Sequence, residues 1–294
     1  MGVFSYFCIM ISPLYTTLRQ TLVPRYGRQE AQAMALMVFE DVFGVSVVDV
    51  YADKVRHFSE EEIKRLENIS MRLQAGEPLQ YVTGSARFCD LTFRVTPATL
   101  IPRPETEWLV DHAAAFLHQS DVQTPSRVLD AGTGSGCIAV ALAKRCQWLQ
   151  VEAWDLSAEA LEVAADNAQR HGVEVDFRCR DMLLPCHAAS TFDLIVSNPP
   201  YVKESEKADM AAHVLDHEPA TALFVPDDDA LRFYRALARL ARTGLRPGGG
   251  LMVEANTALT SETAALFVAE GLTDVAVSDD CFGRPRFVTA RKLS

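Results

Sequence analysis

From residue 126 to the C-terminus, short apolar runs alternate with amphipathic helical segments. "RVLDAG" reads as a strand and "GCIAVALAKRC" as a helix. "QVEAWD" is a strand and "SAEALEVAADNAQRHG" a helix. "VDFRCRD" and "FDLIVSN" are strands, "DALRFYRALARLARTGL" a helix, and "GGGLMVEA" a strand. "SETAALFVAEGL" is a helix, followed by the strands "DVAVSDD" and "RFVTARK". This alternation predicts an α/β fold: an open, mostly parallel sheet with helices on both faces. The last two strands are joined by a short loop, which predicts an antiparallel hairpin at one edge. There is no internal repeat.

The first 85 residues read differently. Residues 14–75 are helical in pattern. "RQEAQAMALMVFEDVFG" places Ala33, Leu36, Met37, Glu40 and Val42 in an apolar-rich amphipathic run ending at Gly44. "FSEEEIKRLENISMRLQAG" has Ser59 as N-cap and three glutamates in the first turn. Ile63, Leu66, Ile69 and Leu73 form its stripe, and Gly76 is its stop. Residues 86–102 alternate and carry β-branched residues, which predicts a hairpin between two domains. Pro104, with Glu105 and Glu107, opens the next helix.

A chain of 294 residues can bury its core without covalent staples. Its formal net charge of −11 argues against broad binding to nucleic acid, which needs a basic surface. The seven cysteines are odd in number and none has C-x-x-C spacing, so reduced thiols in a cytoplasmic protein are expected, with no metal site. The apolar N-terminus, "MGVFSYFCIMISPLY", lacks a basic leader and is too short to span a bilayer. It reads as a docking extension or a mis-assigned start, with Met10 as the alternative. No other segment is long and apolar enough to be transmembrane.

"LDAGTGSG" sits between the first strand and first helix of the α/β region. Gly132, Gly134 and Gly136 allow a tight turn and close approach to a ligand, and such sheets bind ligands at the carboxyl ends of their strands. Asp130, just before them, would attract a cationic group and repel a pyrophosphate. Asp155 ends the second strand, ~20 residues on, where an acid can accept both hydroxyls of a ribose. Ser157 competes with it to cap the next helix. Asp181 ends the third strand, placed either to accept from an adenine amino group, with Met182 against the ring, or simply to serve a turn.

Acid, glycines, acid, acid at successive strand ends resembles the class I S-adenosylmethionine-dependent methyltransferases. The resemblance implies a Rossmann-like, mostly parallel seven-stranded sheet with an antiparallel edge hairpin, and S-adenosylmethionine as cofactor.

Asn198-Pro199-Pro200-Tyr201 follows the fourth strand, at the same sheet edge. A planar amide or amino nitrogen is a poor nucleophile because its lone pair is delocalised, so a site that methylates one must align it. Asn198 can accept from the target NH₂, and the Pro199 carbonyl is a second acceptor in a stiff loop. Tyr201 could stack on a flat substrate group. Such alignment is worth up to ~7–11 kcal/mol. The alternative is a plain strand-ending turn.

"GEPLQYVTG", "FRVTPATLIPRPETE", "VLDAGTGSGCIAVALA", "FDLIVSNPPYV" and "HEPATALF" together resemble the HemK/PrmC family, the protein-(glutamine-N5) methyltransferases of peptide-chain release factors. The likeness covers about residues 30–294. It implies a helical release-factor-binding domain over 1–85, a hairpin linker over 86–105 and a catalytic domain over 106–294. It implies that Gly132, Thr133, Gly134, Ser135 and Gly136 contact the cofactor and Asp155 its ribose. Met182 stands where some members carry an aromatic residue beside the adenine. Asn198 would touch cofactor and substrate, with Pro199, Pro200 and Tyr201 completing a glutamine slot. The substrate would be the Gly-Gly-Gln loop of a release factor, methylated by a cytoplasmic monomer that binds neither nucleic acid nor membrane. "VEAN" at 253–256 departs from the histidine- and glycine-bearing version of some members and leaves that wall's role open.

Two rival readings are a DNA or RNA amino-methyltransferase and a non-catalytic module with a vestigial cofactor site. His213 and His217, at i, i+4, read as surface or substrate-side residues, because no third ligand accompanies them. "PDDDA" at 226–230 reads as a solvated helix start. Arg103, between two prolines, is either a linker residue or a residue of the site's mouth.

Overall fold

A computed structural model describes residues 12–52, 58–119, 125–185 and 191–293. Residues 1–11 of the apolar N-terminus, Met10 among them, fall outside the described residues, as do Cys8 and Cys186; its end, Pro13–Tyr15, opens the first helix. The chain divides into two compact units, Met1–Ser85 and Ala86–Ser294.

The first unit is helical: α1 (Pro13–Phe43), α2 (Val47–Tyr51), α3 (Glu60–Ala75) and α4 (Leu79–Thr83). Pro24 lies inside α1 and Gly27 leaves helical geometry at φ 76°, so α1 is two helical segments meeting at a kink. Its C-terminal half buries Ala31, Met34, Ala35, Val38 and Phe39 against Leu66, Ile69 and Leu73 of α3. This corrects the expected stripe: Ala33 and Glu40 are exposed, and Leu36, Met37 and Val42 are only half-buried. The segment is apolar nearly all round, so its periodicity fits two faces. Gly44 and Gly76 end α1 and α3 in the left-handed conformation.

Ser59 caps α3 as expected. Its hydroxyl accepts from the Glu62 N–H while the Glu62 carboxylate accepts from the Ser59 N–H, closing a capping box. Ser59→Ala is expected to cost about 1 kcal/mol. Faster amide exchange across the first turn of α3 would register the loss; unchanged exchange would contradict the cap's role.

The second unit opens with the hairpin strands β1 (Ser85–Phe88) and β2 (Leu91–Arg94). The two-residue turn Cys89-Asp90 has positive φ at both positions, 49° and 59°, matching the twist of a tight hairpin. The hairpin does not float as a tether. Phe88 and Phe93 are buried with Leu109, Val110 and Ile138 in the core of the second unit.

The elements α5 (Glu107–Gln119), β3 (Ser126–Ala131), α6 (Cys137–Arg145), β4 (Leu149–Asp155), α7 (Ala158–His171), β5 (Asp176–Cys179) and β6 (Phe192–Ser197) follow. Beyond them lie β7 (Val202–Lys203), α8 (Ala212–His217), α9 (Ala220–Leu223), β8 (Phe224–Val225), α10 (Arg232–Gly244), β9 (Leu245–Glu254), α11 (Thr260–Ala269), β10 (Leu272–Asp279) and β11 (Pro285–Lys292). Seven strands form one sheet in the order β10-β11-β9-β6-β3-β4-β5. The β9-β6-β3-β4-β5 pairs are parallel, and β11 is antiparallel to both β9 and β10. The expected seven-stranded, mostly parallel sheet with its antiparallel edge hairpin is therefore present. The small β7-β8 pair was not foreseen.

Period-two alternation divides the strands between two cores. Leu129, Ile195, Leu251 and Val253 face α10 and α11, packing on Tyr234, Leu237, Ala238 and Phe267. Val128, Leu194, Val196 and Met252 face the other way, onto α5 and α6. Both faces are dry, as a parallel sheet requires. Strand order reverses between β3 and its neighbours β4 and β6, which opens a crevice at the carboxyl edge. Among the described residues, no helix is long and apolar enough to cross a membrane.

Candidate active site

The loop after β3 winds through three left-handed glycines: Gly132 at φ 78°, Gly134 at 55° and Gly136 at 80°. The Gly132 and Thr133 N–H groups both donate to the Trp154 carbonyl at 2.8 Å, which ties the loop to β4. Gly136 is required twice over. A side chain would be strained at this φ, and its Cβ would stand 3.0 Å from the Ala164 Cβ and 3.2 Å from the Ala164 Cα on α7. Gly136→Ala is therefore expected to destabilise this unit by about 1–3 kcal/mol. A lowered urea midpoint would bear this out, and an unchanged midpoint would contradict it.

Asp130 is fully buried and is not among the residues lining the cavity beside the glycine loop, contrary to the expectation that it faces the ligand. Its Oδ2 accepts from the Thr133 hydroxyl at 2.6 Å and the Ala139 N–H at 3.2 Å, so it braces the glycine loop from behind. Its Oδ1 is buried with no hydrogen-bond partner among the protein atoms. Burial pushes its pKa up to about 7, against the opposing pull of the Thr133 and Ala139 bonds. A cation nearby would favour its ionised form.

Asp155 closes β4 with both oxygens engaged: Oδ2 accepts from the Gly134 N–H at 2.8 Å and Oδ1 from the Ser157 N–H at 2.9 Å. Ser157, not Asp155, caps α7, through its bond from the Ala160 N–H. Each Asp155 oxygen retains a lone pair for a ligand hydroxyl. Asp181 lies two residues beyond β5 and accepts from the Leu183 N–H at 2.8 Å, which turns the chain so that Met182 comes beside Gly132.

These groups line one cavity of about 540 Å³. Its wall holds Gly132, Thr133, Gly134, Ser135, Asp155, Asp181 and Met182, and also Asn198 and Pro200. Gly136 and Pro199 do not line it; Gly136 packs on α7, and Pro199 is buried. Arg103 lines the same cavity and donates to Glu218 at 2.6 Å, which makes it a mouth residue. Glu218, 6% exposed, also accepts from the Ile101 N–H at 3.3 Å and joins "LIPRP" to "HEPATALF". Pro219, Thr221, Ala222 and Phe224 of the latter complete that wall.

Tyr201 departs from expectation. Its ring packs against the sheet core rather than the cavity, and its hydroxyl donates to Glu254 at 3.1 Å. Burial and the nearby Glu254 charge raise its pKa, so it stays a donor. The loop therefore uses Tyr201 as an anchor. Glu254, 1% exposed, is the hub of this wall: Thr106 donates to it at 2.7 Å, and Arg286 approaches to 3.6 Å. Asn256 donates to the Tyr201 carbonyl at 3.3 Å. "VEAN" thus supports the Asn198 loop from below.

Glu218, Thr106, Glu254 and Arg286 carried no role in the sequence reading, nor did Asn167. Fully buried, Asn167 donates to the Ser135 and Arg94 carbonyls and accepts from the Arg94 N–H, pinning hairpin and glycine loop together. One signal was available for Glu254: like Asp155, it is an acid that ends a strand.

His213 is exposed and His217 half-buried, and among the described residues no three potential ligands are grouped to hold a metal. Asp227 accepts from the Ser205 hydroxyl, and Asp229 pairs with Arg235 at 2.9 Å, so "PDDDA" is a short 3₁₀ turn before α10. Cys137 and Cys146 are buried thiols, and burial raises Cys137 to about 12, which leaves it unreactive.

Residues 107–225 match the family model described as a methyltransferase small domain, and residues 15–84 match the one described as the PrmC N-terminal domain. A release factor glutamine methyltransferase of Bacteroides thetaiotaomicron is 45% identical over 94% of this chain and 98% of its own length. The chain belongs to the release factor glutamine methyltransferase family. A Flavobacterium psychrophilum relative of the same name is 34% identical over 95% of this chain and 98% of its own. A crystal structure of a release factor-specific protein-(glutamine-N5) methyltransferase from Alicyclobacillus acidocaldarius is 32% identical. It covers 69% of this chain and 100% of its own, with a TM-score of 0.41. Family membership and the sheet order together make this a class I methyltransferase that uses S-adenosylmethionine. The residues present fit that cofactor: a glycine loop and a strand-end acid with free lone pairs line the same cavity.

Proposed function

We propose that this chain methylates the side-chain amide nitrogen of a glutamine in the Gly-Gly-Gln loop of peptide-chain release factors. The observation that carries the reading is that the glycine loop and Asn198 line one cavity, so donor and acceptor sites adjoin. Family membership supports the identity of the substrate.

The bound cofactor supplies an electrophilic methyl group on a cationic sulfur. The chain does the rest. Gly132–Ser135 would wrap the cofactor, with Gly136 packed on α7 and Asp130 bracing the loop behind them. Asp155 takes the ribose hydroxyls, and Asp181 and Met182 take the adenine. Asn198 Oδ1 would accept an N–H of the glutamine amide in that cavity, with the buried Pro199 keeping the loop stiff, which would turn the nitrogen lone pair toward the donor's methyl group. Pro200 forms the slot, and Tyr201 holds the loop still. As the methyl group joined it, the nitrogen would give up one N–H proton to solvent and the donor would leave as a neutral thioether, a step that needs no strong base.

In this reading residues 1–85 grip the release factor, and residues 86–105 form the hairpin beside the catalytic region over 106–294. The enzyme acts as a cytoplasmic monomer without binding nucleic acid or membrane; the net charge of −11 supports the first exclusion. The test offers the full-length enzyme labelled cofactor with either a release factor or DNA and RNA oligonucleotides. Label entering only the release factor is the expected result. Label entering an oligonucleotide and not the release factor would replace this reading with a nucleobase amino-methyltransferase.

A further inference from the structure

A side-chain amide has a donor end and an acceptor end of nearly the same shape. If Asn198 is to hold an NH₂ group, something must fix which end meets the cavity. The wall behind it does so through a chain of single-choice hydrogen bonds. Glu254 lies at the base, 1% exposed, and receives the Thr106 hydroxyl at 2.7 Å and the Tyr201 hydroxyl at 3.1 Å, with Arg286 at 3.6 Å. Burial pushes the Glu254 carboxyl above its usual range, but the two hydroxyls aimed at it and the Arg286 guanidinium beside it all favour the ionised form, which can only accept. The Thr106 hydroxyl, 2% exposed, has one proton and gives it to Glu254 Oε2. Toward any other neighbour Thr106 can then only accept. Its other neighbour is the Asn198 side-chain nitrogen, at 3.2 Å. Nδ2 is thereby committed to the wall, and Oδ1 is the end left for the cavity that Asn198 lines.

We propose that Thr106 and Glu254 are positioning residues that lock the Asn198 amide with its oxygen toward the cavity, and so select an N–H-bearing acceptor over a carboxylate. A glutamine amide meets this oxygen with a proton; a glutamate carboxylate meets it with a second lone pair and is repelled. The relay spans three distant segments. Thr106 ends the 3₁₀ turn Pro104–Thr106, Asn198 follows β6, and Glu254 ends β9. Arg286 of β11 extends it outward, with its Nε donating to Asp280 at 3.0 Å. The inference rests on the glutamine-methylating reading above.

The test uses Thr106→Val, which keeps the shape and removes the hydroxyl, and Thr106→Ser, which keeps the hydroxyl. With a release factor as substrate, Thr106→Val is expected to lower kcat about 10- to 100-fold, since a small misplacement of a reacting group costs that much. Thr106 lines the cavity but spends its hydroxyl on Glu254 and Asn198, so cofactor Kd by calorimetry should stay within about 2-fold. Thr106→Ser should recover most of the lost turnover. The discriminating readout is a release-factor variant with glutamate in place of the target glutamine. It should inhibit the parent enzyme weakly and Thr106→Val more strongly, because a freed Asn198 can turn its NH₂ toward a carboxylate. Should Thr106→Val fail to fold, Glu254→Gln takes its place, with the same split of kcat from cofactor affinity expected. Unchanged kcat with unchanged glutamine-over-glutamate discrimination would overturn the relay, as would equal losses in the Val and Ser variants. A parent enzyme that methylates no release factor would instead count against the proposed function, so the two failures are distinguishable.

Discussion

Asn198→Ala is expected to lower turnover on a release factor about 100- to 1000-fold, the loss seen when one preorganised hydrogen-bonding group is removed from a reacting centre. Asn198 is half-buried just after β6, and its side chain bonds to Thr106 in the cavity wall rather than to a residue of the sheet. Truncation therefore leaves the sheet intact, and the melting temperature should move little. Pro199, buried beside it, is unchanged and keeps the loop on its course. The loss should fall on kcat more than on cofactor affinity. Near-parental turnover in the same assay would remove Asn198 from the reaction.

Asp155→Ala should act on the other half of the site. Its carboxylate has two tasks: it accepts the Gly134 and Ser157 N–H groups, and it offers its remaining lone pairs to the ribose. Hydrogen bonds to a charged group contribute about 1.5–3 kcal/mol each, so losing the ribose contacts should weaken cofactor binding by roughly 100-fold or more. Loosening of the Gly134 turn adds to this. Asp155→Asn should be milder, since one amide oxygen can still accept. Calorimetry of cofactor binding reads both; an unchanged Kd for the alanine variant would contradict the assignment.

The central sheet was legible because β3, β4, β6 and β9 each carry an apolar run closed by a polar residue or a glycine. The ends of β3, β4 and β6, with Asp130, Asp155 and Asn198, could be read to within a residue. Face and partner were harder. α1 carries apolar residues on both possible stripes, so the buried set Ala31, Met34, Ala35, Val38 and Phe39 emerges only when α3 packs on it. Tyr201 looked like a stacking group because a proline-stiffened loop at a cavity offers that role. Its actual partner, Glu254, is 53 residues away, and nothing local points the ring inward. The bonds from Thr106 to Glu254 and from Arg94 to Asn167 span 148 and 73 residues. Buried polar pairs of this kind leave no periodicity, because each is a single meeting of two distant side chains. Asp130 illustrates a subtler limit. Its position was right, but whether a strand-end acid faces the ligand or braces the loop depends on which side of the backbone the carboxylate leaves.

In this enzyme a glutamine side-chain nitrogen is the atom expected to receive the methyl group. The most direct measurement incubates the full-length enzyme with isotopically labelled S-adenosylmethionine and an unmodified full-length release factor, then fragments the peptide carrying the Gly-Gly-Gln loop by tandem mass spectrometry. The label should sit on the glutamine residue of that loop and on its side chain. Label on any other residue, or on no peptide of the release factor, would contradict the account.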